Sequence, residues 1–385
     1  NGRSWADMQR VLDKEGRDPV DAAQCVHPYV GTVYDPTAPP EPAVVGDRLE
    51  VNRLGYGHPT DPVQKRGNDR FIIAVTGGSV AYYFAYFGGP QLIERLRELP
   101  EVGDRDCRIV CLAFPGHKQP QQLMSLAYIR TLGGEFDLLV NLDGFNEVAL
   151  ADWNQRRKVS PAFPRNWPAV LPHGFSQKYL ADHTRMWEVR AERQRNARGI
   201  RQSWLRGSAL RQLWWKAHDE VLRSEEVVLN ETASQSNQEE SYSYRRSGPL
   251  EDYPNDEVRY QRYVEIWANA SVQIEEMANG AGFAYFQFLQ PNQYDPGSKP
   301  LTDDELRMAF DPGHEYRESV VKGYPILRAA GDRLRERGIR FHDLSHLFET
   351  SDETLYGDVC CHLNLRGNEL LAERIADVIV RELRP

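Results

Sequence analysis

Short apolar runs alternate with amphipathic stretches in two parts of this chain. RFIIAVT (70–76) reads as a strand, and PQLIERLREL (90–99) places its apolar residues at helical spacing. RIVCLAF (108–114) is a second strand, and QPQQLMSLAYIRTLG (119–133) is a helix stopped by Gly133. FDLLVNL (136–142) is a third strand. The rhythm breaks near residue 150 and resumes with a long helix over 255–280 and the strand FAYFQFL (283–289). A helix over 319–338, a short fifth strand, IRFHDLS (339–345), and a closing helix over 366–383 complete the pattern. Apolar strands separated by helices predict a parallel sheet covered on both faces.

The expected fold class is therefore α/β, a three-layer α/β/α flavodoxin-like sandwich with a five-stranded parallel sheet. A large, mostly helical insertion follows the third strand. The expected boundaries are a loop-rich, Pro- and Gly-rich arm over 1–70, the α/β domain over 71–150 and 255–385, and the insertion over 151–254. The insertion ends in a polar stretch, TASQSNQEESYSYRRSGP (232–249), that reads as loop.

Charge changes the picture of that insertion. Residues 156–216 hold fourteen Lys or Arg against three acids, a net +11 in a chain of net −9, so the remainder carries −20. Six of the eight tryptophans lie in or beside this segment: Trp153, Trp167, Trp187, Trp204, Trp214 and Trp215. Aromatic faces and arginines suit an anionic polysaccharide, and a basic, Trp-rich helix also suits an anionic membrane surface. A solvated basic face with core tryptophans is the plain alternative. The acidic whole and the lack of a known binding motif argue against nucleic acid as a partner.

Five cysteines do not make a disulfide framework. Cys107 and Cys111 share one face of a strand and read as packed thiols. Cys360-Cys361-His362 has no second ligand pair at zinc-site spacing, so neither a metal nor another cofactor is expected. No run reaches the roughly 18 apolar residues of a membrane span. The chain begins at Asn1, and an upstream segment that once anchored it in a membrane is part of the expectation.

Ligands of open α/β sheets bind at the carboxyl ends of the strands. The first strand here runs into Gly77-Gly78-Ser79, and the second into FPGHKQPQQ with Gly116 and His117. The third runs into Asp143-Gly144-Phe145-Asn146-Glu147, and the fourth into Gln290-Pro291-Asn292. Asp358 and His362 precede the last helix. No Lys-Ser or Lys-Thr follows Gly78, so the first turn does not read as a phosphate loop.

Serine, glycine, asparagine and histidine in this order resemble the four blocks of the SGNH/GDSL hydrolase superfamily. The resemblance covers about 71–150 and 255–385 and is nearest to bacterial members with a GGS first block and a CCHLN last block. Three departures stand out. Gly78 occupies the place of an aspartate, Glu147 stands where many members have a second aspartate, and the Asp358–His362 spacing is one residue longer than usual.

The chemistry can be argued from the residues themselves. Ser79, at a helix start, would be the nucleophile, His362 its general base, and Asp358 the group that orients the imidazole. The oxyanion hole would combine the N–H groups of Ser79 and Gly116 with the side-chain amide of Asn146. Glu147 reads as a loop brace. His117, Gln290, Asn292 and Trp153 are candidate substrate contacts. His346 with Asp343 is a rival pair, read as structural. The resemblance implies an esterase or deacetylase that acts on O-acylated carbohydrate of the bacterial envelope through an acyl-serine. It further implies a periplasmic or other extracytoplasmic location. An O-acyltransferase, a non-catalytic scaffold of the same fold and a lipid esterase at a membrane surface are the alternatives.

Overall fold

A computed structural model describes residues 24–37, 50–165, 167–170, 177–203, 207–239 and 244–384. The parts of the N-terminal arm over 1–23 and 38–49, and Trp204, lie outside the described residues. The chain divides into two compact units. One includes 168–248, and the other comprises 25–167 and 249–385.

The larger unit holds a small sheet of β1 (Gln24–His27) and β2 (Gly31–Tyr34) and one main sheet. The main sheet consists of β3 (Arg70–Gly77), β4 (Asp106–Cys111), β5 (Leu138–Asp143), β6 (Ala284–Leu289) and β7 (Phe341–Asp343). Its order is β4-β3-β5-β6-β7, with every pairing parallel. That is the flavodoxin-like order expected from the sequence. Phe71–Val75 and all of β5 are buried, as a sheet covered on both faces demands.

The helices of this unit form two layers. One contains α1 (Ser79–Tyr83), which passes through a π-helical turn, Phe84–Gly88, into α2 (Gly89–Leu96). The C-terminal α10 (Leu365–Leu383) packs on it. In the other layer α4 (Phe145–Arg156), α7 (Asp256–Ala281) and α9 (Arg317–Glu336) pack on one another. There α3 (Gln121–Thr131) touches α7. The short α8 (Asp303–Met308) lies between β6 and α9 in sequence. The unit boundary at 167/168 leaves α4 with the sheet because α4 packs against α7 and α9.

Register decides where the strand ends fall. Gly77 pairs with Leu142, Asp143 with Leu289, and Leu289 with Asp343, so β3, β5, β6 and β7 end along one edge. The direction of strand addition reverses between β3 and β5, and the crevice at such a reversal is where this fold class binds ligands.

The smaller unit is built on α5 (Gln177–Gln202) and α6 (Ala209–Glu239), packed against each other. Arg193 of α5 pairs with Asp219 at 2.9 Å and Glu226 at 2.6 Å, and Arg185 pairs with Glu225 at 2.7 Å. Trp215 is buried with Ala197 and Ile200, whereas Trp187 and Trp214 are exposed. Among the described residues no helix is long and apolar enough to cross a membrane.

Candidate active site

The ends of β3 and β5 and the loop before α10 bring Ser79, Asn146 and His362 close to one another. Gly78 caps α1 with extended backbone (φ −90°, ψ −152°), which makes Ser79 its first helical residue. The first N–H groups of a helix have no partner within it, so they face the crevice with a partial positive charge.

His362 reaches Ser79 from the loop before α10. Its Nε2 lies 2.7 Å from Ser79 Oγ, and its Nδ1 lies 2.5 Å from Asp358 Oδ2. The other oxygen, Asp358 Oδ1, accepts the backbone N–H groups of Cys360 (2.9 Å), Cys361 (3.2 Å) and His362 (3.3 Å). The loop is thus folded around the aspartate, and the four-residue spacing closes a turn that joins both side chains. The Tyr83 ring meets the imidazole in a T-shaped contact at 5.2 Å.

These contacts set the local charge. Burial raises the Asp358 carboxyl, but the hydrogen bonds from His362 and from the backbone outweigh it and leave the pKa below its ordinary value. Burial disfavours the imidazolium of His362, yet the Asp358 carboxylate outweighs it and holds this pKa above the ordinary one.

Asn146 stands in the first turn of α4 and is 7% exposed. Its Nδ2 donates to the His117 carbonyl at 2.6 Å, which leaves its second N–H free of that bond. The same Nδ2 would lie 2.1 Å from a Cβ on Gly78, so the amide occupies the space over that glycine. A Cβ at this position would meet the amide unless the Asn146 side chain shifted. Gly116 has φ +83°, a conformation that favours glycine, and the space above it is bounded by Arg165.

His117 is 1% exposed and its Nε2 lies 3.1 Å from the Thr32 carbonyl, so the ring braces the segment around β2. Burial lowers its pKa to about 4. Gln290 is buried after β6, and its side-chain Nε2 lacks a partner. Asn292 is fully buried and its Oδ1 accepts the Tyr294 N–H at 2.9 Å. Its Nδ2 lies 3.5 Å from the Cys360 carbonyl, so it supports the loop that carries His362. Trp153 is half-buried on α4 beneath the guanidinium of Arg157, 3.7 Å from the ring centre. The pair read as a rival is held elsewhere. His346 faces Asp295 at 3.2 Å, and Asp343 accepts the Ser345 N–H at 2.8 Å.

Glu147 ties these loops together. Its Oε2 accepts the Gly144 N–H at 2.7 Å, and its Oε1 accepts Gln119 N–H at 3.0 Å and Gln122 Nε2 at 2.9 Å. Burial, then the nearby Asp143, pushes its pKa up to about 8. Replacing Glu147 with alanine leaves three donors without this acceptor and is expected to lower stability by roughly 2–4 kcal/mol, read by urea unfolding. A change within 0.5 kcal/mol would mean the brace is dispensable.

Lys118, Gln119, Gln122 and Arg165 belong to this site's surroundings but carried no sequence signal as single residues. The polar run HKQPQQ at a strand end was the nearest sign. Lys118 is fully buried, and its ammonium hydrogen-bonds to the Phe163 carbonyl.

Cys360, Cys361 and His362 bring their ligand atoms within 4.8 Å of one another, the two sulfurs being 3.5 Å apart. Both imidazole nitrogens already have partners, so a metal there would have to displace Ser79 or Asp358.

No protein-family model matches the chain, and no curated protein matches its sequence.

Proposed function

We propose that this protein is a serine esterase whose nucleophile is Ser79. The observation that carries this reading is the continuous relay from Ser79 Oγ through the His362 imidazole to Asp358. His362 Nε2 takes the serine proton as Oγ attacks the ester carbonyl. The oxyanion is met by the Ser79 and Gly116 N–H groups and the Asn146 amide. The C–O bond to the alcohol breaks, and His362 returns the proton to that alcohol. A water, or an acceptor hydroxyl in the transferase variant, then takes the acyl group from Ser79 by the reverse steps.

The proposed substrate is O-acetylated carbohydrate of the bacterial envelope, which places the reaction outside the cytoplasm. The support is the resemblance of the four blocks, together with the Trp153 ring and the arginines beside it. The absence of a side chain on Gly78 leaves room for the Asn146 amide as an oxyanion donor.

A fluorophosphonate probe tests the reading directly. It is expected to attach one phosphonyl group to Ser79, located by peptide mass spectrometry, and His362→Ala should suppress the labelling. Labelling spread over other serines, with none on Ser79, would reject the esterase.

The pH dependence has a definite sign. The base must be neutral, so kcat/KM for an aryl acetate should rise with pH through an inflection above the ordinary histidine value. Asp358→Asn removes the acceptor that raises it and should move the inflection down. An inflection that stays in place in that variant would mean that Asp358 does not govern the base.

A further inference from the structure

We propose that Arg165 binds an anionic group on the substrate, beside the ester being cleaved, and so selects acylated sugars that carry a carboxylate or phosphate. The proposal rests on the esterase reading and adds the substrate's charge to it.

Three contacts fix where Arg165 stands. Its Cδ lies 3.6 Å from where a side chain on Gly116 would begin, so its stem borders the proposed oxyanion site. Its Nη2 donates to the Tyr316 hydroxyl at 3.2 Å, and Tyr316 packs edge-on against Phe145, the residue before Asn146. Its guanidinium carbon lies 5.5 Å from the centre of the Trp153 ring. The side chain is therefore guided to the crevice by an aromatic face and a phenol.

The contrast with its neighbour is informative. Arg157 covers the same Trp153 ring at 3.7 Å but has a carboxylate partner, Glu315, at 3.8 Å. Arg165 is exposed and has no carboxylate at ion-pair distance among the described residues. A planar fork with most donors unused, steadied on an aromatic ring, fits a carboxylate or phosphate in two-point contact. Both groups offer paired anionic oxygens, and the test separates them.

The test compares kcat/KM for acetylated glucuronate and acetylated glucose 6-phosphate with that for the uncharged methyl ester of acetylated glucuronate. Each ratio is taken within one protein preparation, so a general loss of activity cancels. The wild type is expected to prefer one or both anions. Arg165→Met should reduce that preference by about tenfold to a hundredfold, the scale of a charged hydrogen-bonded contact. Arg165→Lys should keep part of it, because it retains the charge without the fork. The arm that loses more identifies the anion. A wild-type ratio near one, or one unchanged in Arg165→Met, overturns the proposal.

Calorimetric binding of glucuronate and glucose 6-phosphate to Ser79→Ala, against glucose, gives a readout independent of turnover. Binding that requires Arg165, without turnover by the wild type, would reject the esterase and keep the anion site. Binding indifferent to Arg165 rejects the anion site whatever the turnover.

Discussion

Ser79→Ala is expected to lower kcat for a small aryl acetate by about 10⁴-fold or more, the scale seen when a triad nucleophile is removed. The loss follows from geometry. Without Oγ, nothing at 2.7 Å from His362 Nε2 can give up a proton and form the acyl bond. The fold should change little, since Ser79 is half-buried and one hydrogen bond contributes about 1 kcal/mol. Thermal unfolding of the variant therefore checks that the loss is chemical. His362→Ala should fall by a similar factor, and the double variant should be little worse than either, because the two act as one unit. Wild-type turnover retained in Ser79→Ala would reduce the serine to the first residue of a helix.

Gly78→Asp should also be severe, about 10²- to 10³-fold in kcat, the usual effect of losing an oxyanion donor. This substitution writes into the turn the residue that the SGNH/GDSL pattern it resembles more often has there. The backbone of Gly78 is in an extended conformation open to any residue, so backbone strain is not the obstacle. The obstacle is Asn146, whose Nδ2 would lie 2.1 Å from the new Cβ, with the His117 carbonyl 3.3 Å away. The asparagine amide must leave its bond to His117 to relieve the overlap. Because the lost contact is made to the transition state, kcat should fall with little change in KM. In an Asn146→Ala background the further loss from Gly78→Ala should be small, since the collision partner is gone. Full activity in Gly78→Asp would mean that Asn146 is not needed where it stands.

Much of the fold was legible because a buried parallel strand has to be apolar on both faces. RFIIAV and FDLLVNL could scarcely be anything else, and helical spacing between them dictated the crossovers. Ends were less secure. The last strand keeps only Phe341–Asp343, since its pairing with β6 is confined to those residues. The helix start at Ser79 and the helix over 90–99 were both legible, but not the π-helical turn, Phe84–Gly88, that joins them into one run.

The basic segment shows a different limit. A window over 156–216 ended just before Asp219, Glu225 and Glu226, the acids that α6 turns toward the arginines of α5. Charge counted along the chain omits partners that meet across a helix pair.

Local apolar periodicity dictates where strands stop, so the layer architecture and a serine, an asparagine and a histidine at element ends were legible before any packing was known. Tertiary structure decided what those residues meet. Ser79 and His362 are 283 residues apart and touch only because β3 and the loop before α10 reach the same sheet edge. Gly78 looked like a lost acid until the Asn146 amide filled the space above it. Glu147 and Lys118 are buried by loops from distant parts of the chain, and Arg165 is steadied by Trp153 and Tyr316. Such pairings depend on long-range packing, which periodicity along a chain does not encode.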